Sequence, residues 1–192
     1  MLLCDSDYLY NLTDMKENFI RMFDGPFTKE QSQSLINEFE SIEDKSTLSL
    51  TLDGTNIGET AYIEDGTDAQ RILIDHVSNI VAAYIQELGV PYNFKRLMDE
   101  GYQIQRWDAA SPHWLSTIDS LVPNRALQVL VVLQAKKGAS IKFRHHDPTP
   151  LKANRTIVFP ALFTHSYILN SVAEKGIYLI STSVKTLGLE EE

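Results

Sequence analysis

After Gly101 the chain passes through five short β-type runs, YQIQRW, ALQVLVVLQ, SIKFRHH, RTIVFP and KGIYLISTSV, with no helical stretch between any two of them. Pro112, Pro123, Gly138, Pro148, Pro150 and Pro160 lie in or beside the intervals, and such residues bend the backbone or end a hydrogen-bonded ladder. Parallel neighbours need a crossover connection of a dozen or more residues, commonly a helix. The pattern therefore predicts an antiparallel sandwich or barrel, and not a doubly wound parallel sheet.

The first hundred residues follow a different grammar. In TKEQSQSLINEFESI, Thr28 and Gln31 stand in capping-box spacing ahead of Leu35, Ile36, Phe39 and Ile42 on one helical face, which predicts a helix over 28–43. A second helix is predicted over 67–88, opened by Thr67 and Gln70, striped by Ile72, Leu73, Val77, Ile80, Val81, Tyr84 and Leu88, and ended by Gly89. Between them Leu48, Leu50 and Leu52 alternate with polar residues up to Asp53-Gly54, a strand followed by a tight turn. The expectation is one domain over 1–192, mainly β with flanking helices, in which 1–100 braces a β core over 101–186.

Composition narrows the function classes. A formal net charge of -9 with no cluster of five basic residues gives no footprint for a phosphate backbone or an anionic membrane. Neither nucleic acid nor membrane is an expected partner. Cys4 is the only cysteine, which excludes an intrachain disulfide and a thiolate-rich zinc site. The opening stretch MLLCDSDYLYNLTD lacks a basic n-region and a long apolar core, and no apolar run approaches the length of a membrane span. A cytoplasmic protein is expected.

The order of YQIQRW, an aspartate at Asp119, PNRALQVLVVLQ, a glycine turn at Gly138, RTIVFPALFTH and EKGIYLIS resembles the double-stranded β-helix of the 2-oxoglutarate and Fe(II)-dependent oxygenases. The similarity is to the prolyl-4-hydroxylase-like branch found in phages and bacteria. It covers roughly residues 95–185, and FPALFTH is its most specific phrase. The resemblance implies a jelly-roll, cupin-like core. It also implies an iron site of two histidines and one carboxylate, which leaves positions on Fe(II) for the 2-oxoacid and dioxygen. The family sets the first histidine and the carboxylate as His-x-Asp, the second histidine far downstream, and a basic residue about ten positions later for the distal carboxylate of the cosubstrate.

Asp119 matches the carboxylate position. Two residues upstream, where a strand would present a side chain on the same face, stands Thr117, whose neutral hydroxyl is a poor substitute for imidazole on ferrous iron. His113 lies six residues before Asp119, about 20 Å away along a straight strand at roughly 3.3 Å per residue. Downstream, His165 and Lys175 have the spacing of ligand and carboxylate clamp. Relatives with T-H-x-H after the same phrase use the second histidine, a position filled here by Tyr167, and the sequence leaves both registers open. Trp107 stands where relatives often carry a tyrosine, and an indole donates only through its ring nitrogen.

These departures predict an oxygenase-fold protein with an eroded iron site. The expectation is a binding or structural module with no cofactor, acting through a protein partner or its own copies. The phage-type likeness extends this to a phage-encoded, virion-associated protein in host cytoplasm or particle. The alternative is an active hydroxylase that uses Fe(II) and 2-oxoglutarate on a peptide side chain or small molecule, and a third reading is a cupin-like sandwich unrelated to the oxygenases. Other candidates read as structural. Adjacent histidines in RHHD, residues 144–147, would point to opposite faces of a strand end. His76 has Ile80 four positions on and no second ligand. Cys4 has no defined base.

Overall fold

The structure, a computed structural model, describes residues 19–49, 56–88, 97–111, 114–115, 124–162, 165–171 and 176–186. Its elements are β1 (Arg21–Asp24), α1 (Lys29–Ser41), β2 (Ser46–Ser49), β3 (Asn56–Tyr62), α2 (Asp68–Leu88), β4 (Leu97–Asp99), β5 (Gln103–Trp107), β6 (Arg125–Ala135), β7 (Ser140–Phe143), β8 (Thr149–Pro150), β9 (Arg155–Pro160), β10 (Tyr167–Asn170) and β11 (Ile177–Thr186).

Both helices start where side chains can satisfy the first free amides. Thr28 Oγ1 accepts from Gln31 N at 3.2 Å, and Thr28 N donates to Gln31 Oε1 at 2.8 Å, completing the capping box of α1. At α2, Gln70 N donates to Thr67 Oγ1 at 3.2 Å and Gly66 N donates to Gln70 Oε1 at 2.6 Å. The helix buries Leu73, Val77, Ile80, Val81, Tyr84 and Ile85, which adds Ile85 to the predicted stripe, while Ile72 and Leu88 from that stripe are half-buried.

The large sheet runs β1-β9-β6-β11-β5-β3-β2, with β4 paired to β11, and the small sheet runs β10-β7-β8. All the strand pairings are antiparallel. Leu115 bridges Tyr167, and Ser111 N donates to Leu169 O at 2.8 Å, so Ser111 and Leu115 lie beside β10. The front half contributes more than helices, because β1, β2 and β3 join the large sheet. Gly58 makes the β3–β5 approach possible: a Cβ there would lie 1.9 Å from Arg106 O. Gly138 takes φ 92° in the turn after β6, a left-handed conformation that glycine adopts without steric cost.

Two apolar clusters hold the layers together. One, with Leu73, Val77, Val129, Val131, Val158 and Ile180, lies between the large sheet and the helices. The other fills the space between the two sheets, with Trp107, Leu130, Val132, Phe143, Ile157, Phe159, Tyr167, Leu169, Ile177 and Leu179. Burial of apolar surface at roughly 25 cal/mol per Å² makes these two clusters the main source of stability.

One local expectation is corrected. SIKFRHH is not a single strand: β7 ends at Phe143, His145 has φ 68°, and His146 N donates to Phe143 O at 3.1 Å. The left-handed residue reverses the chain, so the two histidines sit on an exposed turn and not on opposite faces of a strand.

Candidate functional site

Side chains alternate across a strand, and the inner faces of three central strands change character along their length. On β11 the inward residues are Ile177 and Leu179, then Ser181 and Ser183. On β5 they are Trp107, then Gln105 and Gln103. On β6 they are Val132 and Leu130, then Gln128. The register aligns these changes, pairing Ser181 with both Leu130 and Gln103, and Ser183 with Gln128. One end of the barrel is thus an apolar plug and the other a polar mouth.

At the mouth lies a hollow of about 230 Å³ lined by Gln103, Gln105, Gln128, Ser181, Ser183 and Tyr167, with Tyr62, Glu100 and Arg125 also bordering it. Several lining groups are fixed by one another. Gln128 Nε2 donates to Thr182 O at 3.0 Å, Ser183 Oγ donates to Gln128 Oε1 at 2.9 Å, and Gln105 Nε2 donates to Ser181 Oγ at 3.1 Å. Arg125 Nε donates to Glu100 Oε2 at 2.6 Å, so each charge at this mouth faces an opposite one. None of the five glutamine and serine residues lining the hollow was a predicted site residue. Their signal is the period-two switch from apolar to polar within otherwise apolar runs such as IYLISTSV.

Tyr167 connects plug and mouth. It is 7 % exposed, and its ring meets Phe159 at 5.4 Å and Phe143 at 6.0 Å between centroids. Burial raises its pKa far above the ordinary phenol value, so it stays a neutral hydroxyl at physiological pH. The residue ten positions after it is Ile177, 0 % exposed and paired with Trp107.

Of the predicted ligand set, His165 is described, while Asp119, Thr117 and Lys175, together with His113, lie outside the described residues. His165 N donates to Leu162 O at 2.9 Å, and its half-buried ring meets Phe19 edge-on at 6.4 Å. Burial, and then the charge of His146, lower its pKa. The neutral imidazole this favours is also the form that binds metal. Nearby, the Arg144 guanidinium stands 5.4 Å over the Trp114 ring. Among the described residues no three His, Cys, Asp or Glu side chains converge as a metal-holding group, and no helix is long and apolar enough to cross a membrane.

No family model and no curated protein matches the chain. Solved structures do. A Pseudomonas putida prolyl-4-hydroxylase superposes with a TM-score of 0.61 at 12 % identity, over 92 % of this chain and 97 % of that one. A Trichoplax adhaerens prolyl hydroxylase, solved with a peptide fragment of the oxygen degradation domain of hypoxia inducible factor, gives 0.60 at 10 %, over 96 % and 94 %. A 2-oxoglutarate-Fe(II) oxygenase family oxidoreductase from Burkholderia pseudomallei gives 0.58 at 11 %, over 96 % and 93 %. Two antiparallel sheets enclosing one core, braced by helices on the outer face of the larger, thus make this chain a double-stranded β-helix with the fold of the 2-oxoglutarate and Fe(II)-dependent oxygenases, in its prolyl-4-hydroxylase-like form.

Proposed function

We propose that the protein is a non-catalytic binding module built on the oxygenase fold. One observation carries this reading: none of the described inward residues named above on β5, β6 and β11 is charged. A dianionic 2-oxoacid lodged between the sheets needs a facing cation in place of its lost water. The described residues there do not fit that requirement. Ile177, the inward residue ten positions after Tyr167, offers a methyl surface where the Tyr167 register would need a basic group. A protein of this kind acts through what its surface holds, so a protein partner or a second copy is the proposed route to its role.

The alternative, an active hydroxylase, is favoured by His165, whose half-buried imidazole is inclined by burial toward the neutral form. Titration of Fe(II) or Mn(II) with and without 2-oxoglutarate, combined with a succinate assay, separates the two. The proposal expects no succinate and no tightening of metal binding by 2-oxoglutarate. Micromolar metal binding with succinate release, both lost in Asp119→Ala, would overturn it.

A further inference from the structure

We infer that the hollow at the barrel mouth binds a small uncharged polyol of monosaccharide size. This deepens the non-catalytic reading and rests on it. Size comes first: about 230 Å³ lies below the roughly 300 Å³ at which pockets for drug-sized ligands begin, so the occupant is small. Charge comes next. Arg125 and Glu100 are joined at 2.6 Å, and the other described side chains that line it are amides and hydroxyls, so among the described residues an anion or a cation would meet no uncompensated partner.

The unused hydrogen-bonding capacity identifies the chemistry. The Tyr167 hydroxyl makes no hydrogen bond to any described residue, although the residue is 7 % exposed and lines the hollow. That hydroxyl opens on the hollow, where a ligand hydroxyl would pair with it directly. The Gln103 carboxamide, on the adjoining inner-face position, also makes no hydrogen bond to any described residue and offers donor and acceptor in one plane. Ser181 Oγ accepts from Gln105 and retains its own proton to donate. Vicinal hydroxyls, each donor and acceptor at once, match such a mixed set. Tyr62, 69 % exposed and paired with Gln103 on the same sheet face, supplies an aromatic plate for the C–H face of a sugar ring.

The test is calorimetry and saturation-transfer NMR on the full chain with glucose, galactose, mannose and myo-inositol. Glucuronate and glucose 6-phosphate serve as charged comparators, and N-acetylglycinamide as an amide comparator. At least one neutral polyol should bind and should outcompete its charged and amide counterparts. Tyr167→Phe, which removes one oxygen and keeps the ring packing, should weaken binding about tenfold with an unchanged melting temperature, and Gln103→Leu should weaken it as well. Binding by none of the four polyols, preference for a charged or amide probe, or undiminished affinity in both variants overturns the inference. Succinate release with iron and 2-oxoglutarate would instead overturn the non-catalytic reading, so the two failures are distinguishable.

Discussion

At His76 the Nε2 nitrogen lies 2.8 Å from Thr156 Oγ1, joining α2 to β9 through a threonine that is itself 0 % exposed. Burial lowers the histidine pKa, because a charged imidazole there would lose its water. The unfolded chain takes up the proton near its ordinary value of about 6.5. Stability is therefore complete above that pH and falls as the pH drops from there toward the lowered native value, since the unfolded state then binds more protons. His76→Gln retains a partner for Thr156 and removes the titration. Urea unfolding across a pH series should show a shallower acid-side decline in this variant than in the native chain. An unchanged decline would assign the acid sensitivity to other groups.

Elements are tied to one another chiefly through Arg106 on β5. Its guanidinium donates to Asp108 from Nε and Nη2 at 3.0–3.1 Å and to Glu40 on α1 at 3.0 Å. Glu59 Oε2 on β3 lies 3.1 Å from Nη1 without an aligned hydrogen bond. Tyr178 on β11 donates to Glu40 at 2.8 Å. Burial alone would lower the Arg106 pKa, but the hydrogen bonds it donates to Asp108 and Glu40 outweigh it and hold the group charged. Arg106→Met keeps the stem and leaves three carboxylates without their shared cation. The expected loss is about 3–5 kcal/mol in denaturant unfolding, and a loss below about 1 kcal/mol would mean that the cluster is solvated like a surface pair. This network was not legible in the sequence, since Glu40, Glu59, Arg106 and Tyr178 share no period and meet only when four elements assemble. The caps at Thr28 and Thr67 and the stripe of α2 were legible because helix signals are local. The β runs were legible for the same reason, but their boundaries were not: RHHD reads as strand until the left-handed His145 ends it. The polar mouth escaped notice because a serine or glutamine in an apolar strand acquires meaning only when neighbouring strands bring others beside it.

For the molecule as a whole, β11 is the element on which the sheet depends. It pairs with β6, β5 and β4, so it lies inside the large sheet although it is the last described element. Vectorial synthesis then imposes an order on folding. As the ribosome releases the chain from its N-terminal end, β5 and β6 emerge with open edges, and those edges are ready templates for intermolecular pairing. Deleting residues 177–192 should therefore abolish cooperative thermal unfolding and drive the remainder into aggregates, observable by calorimetry and light scattering. A truncated chain that melted cooperatively as a monomer would show that β5 and β6 can close on each other without β11. With β11 last to arrive and central in place, the interval between synthesis of Ala135 and of Thr186 is the window in which the nascent chain most needs a chaperone.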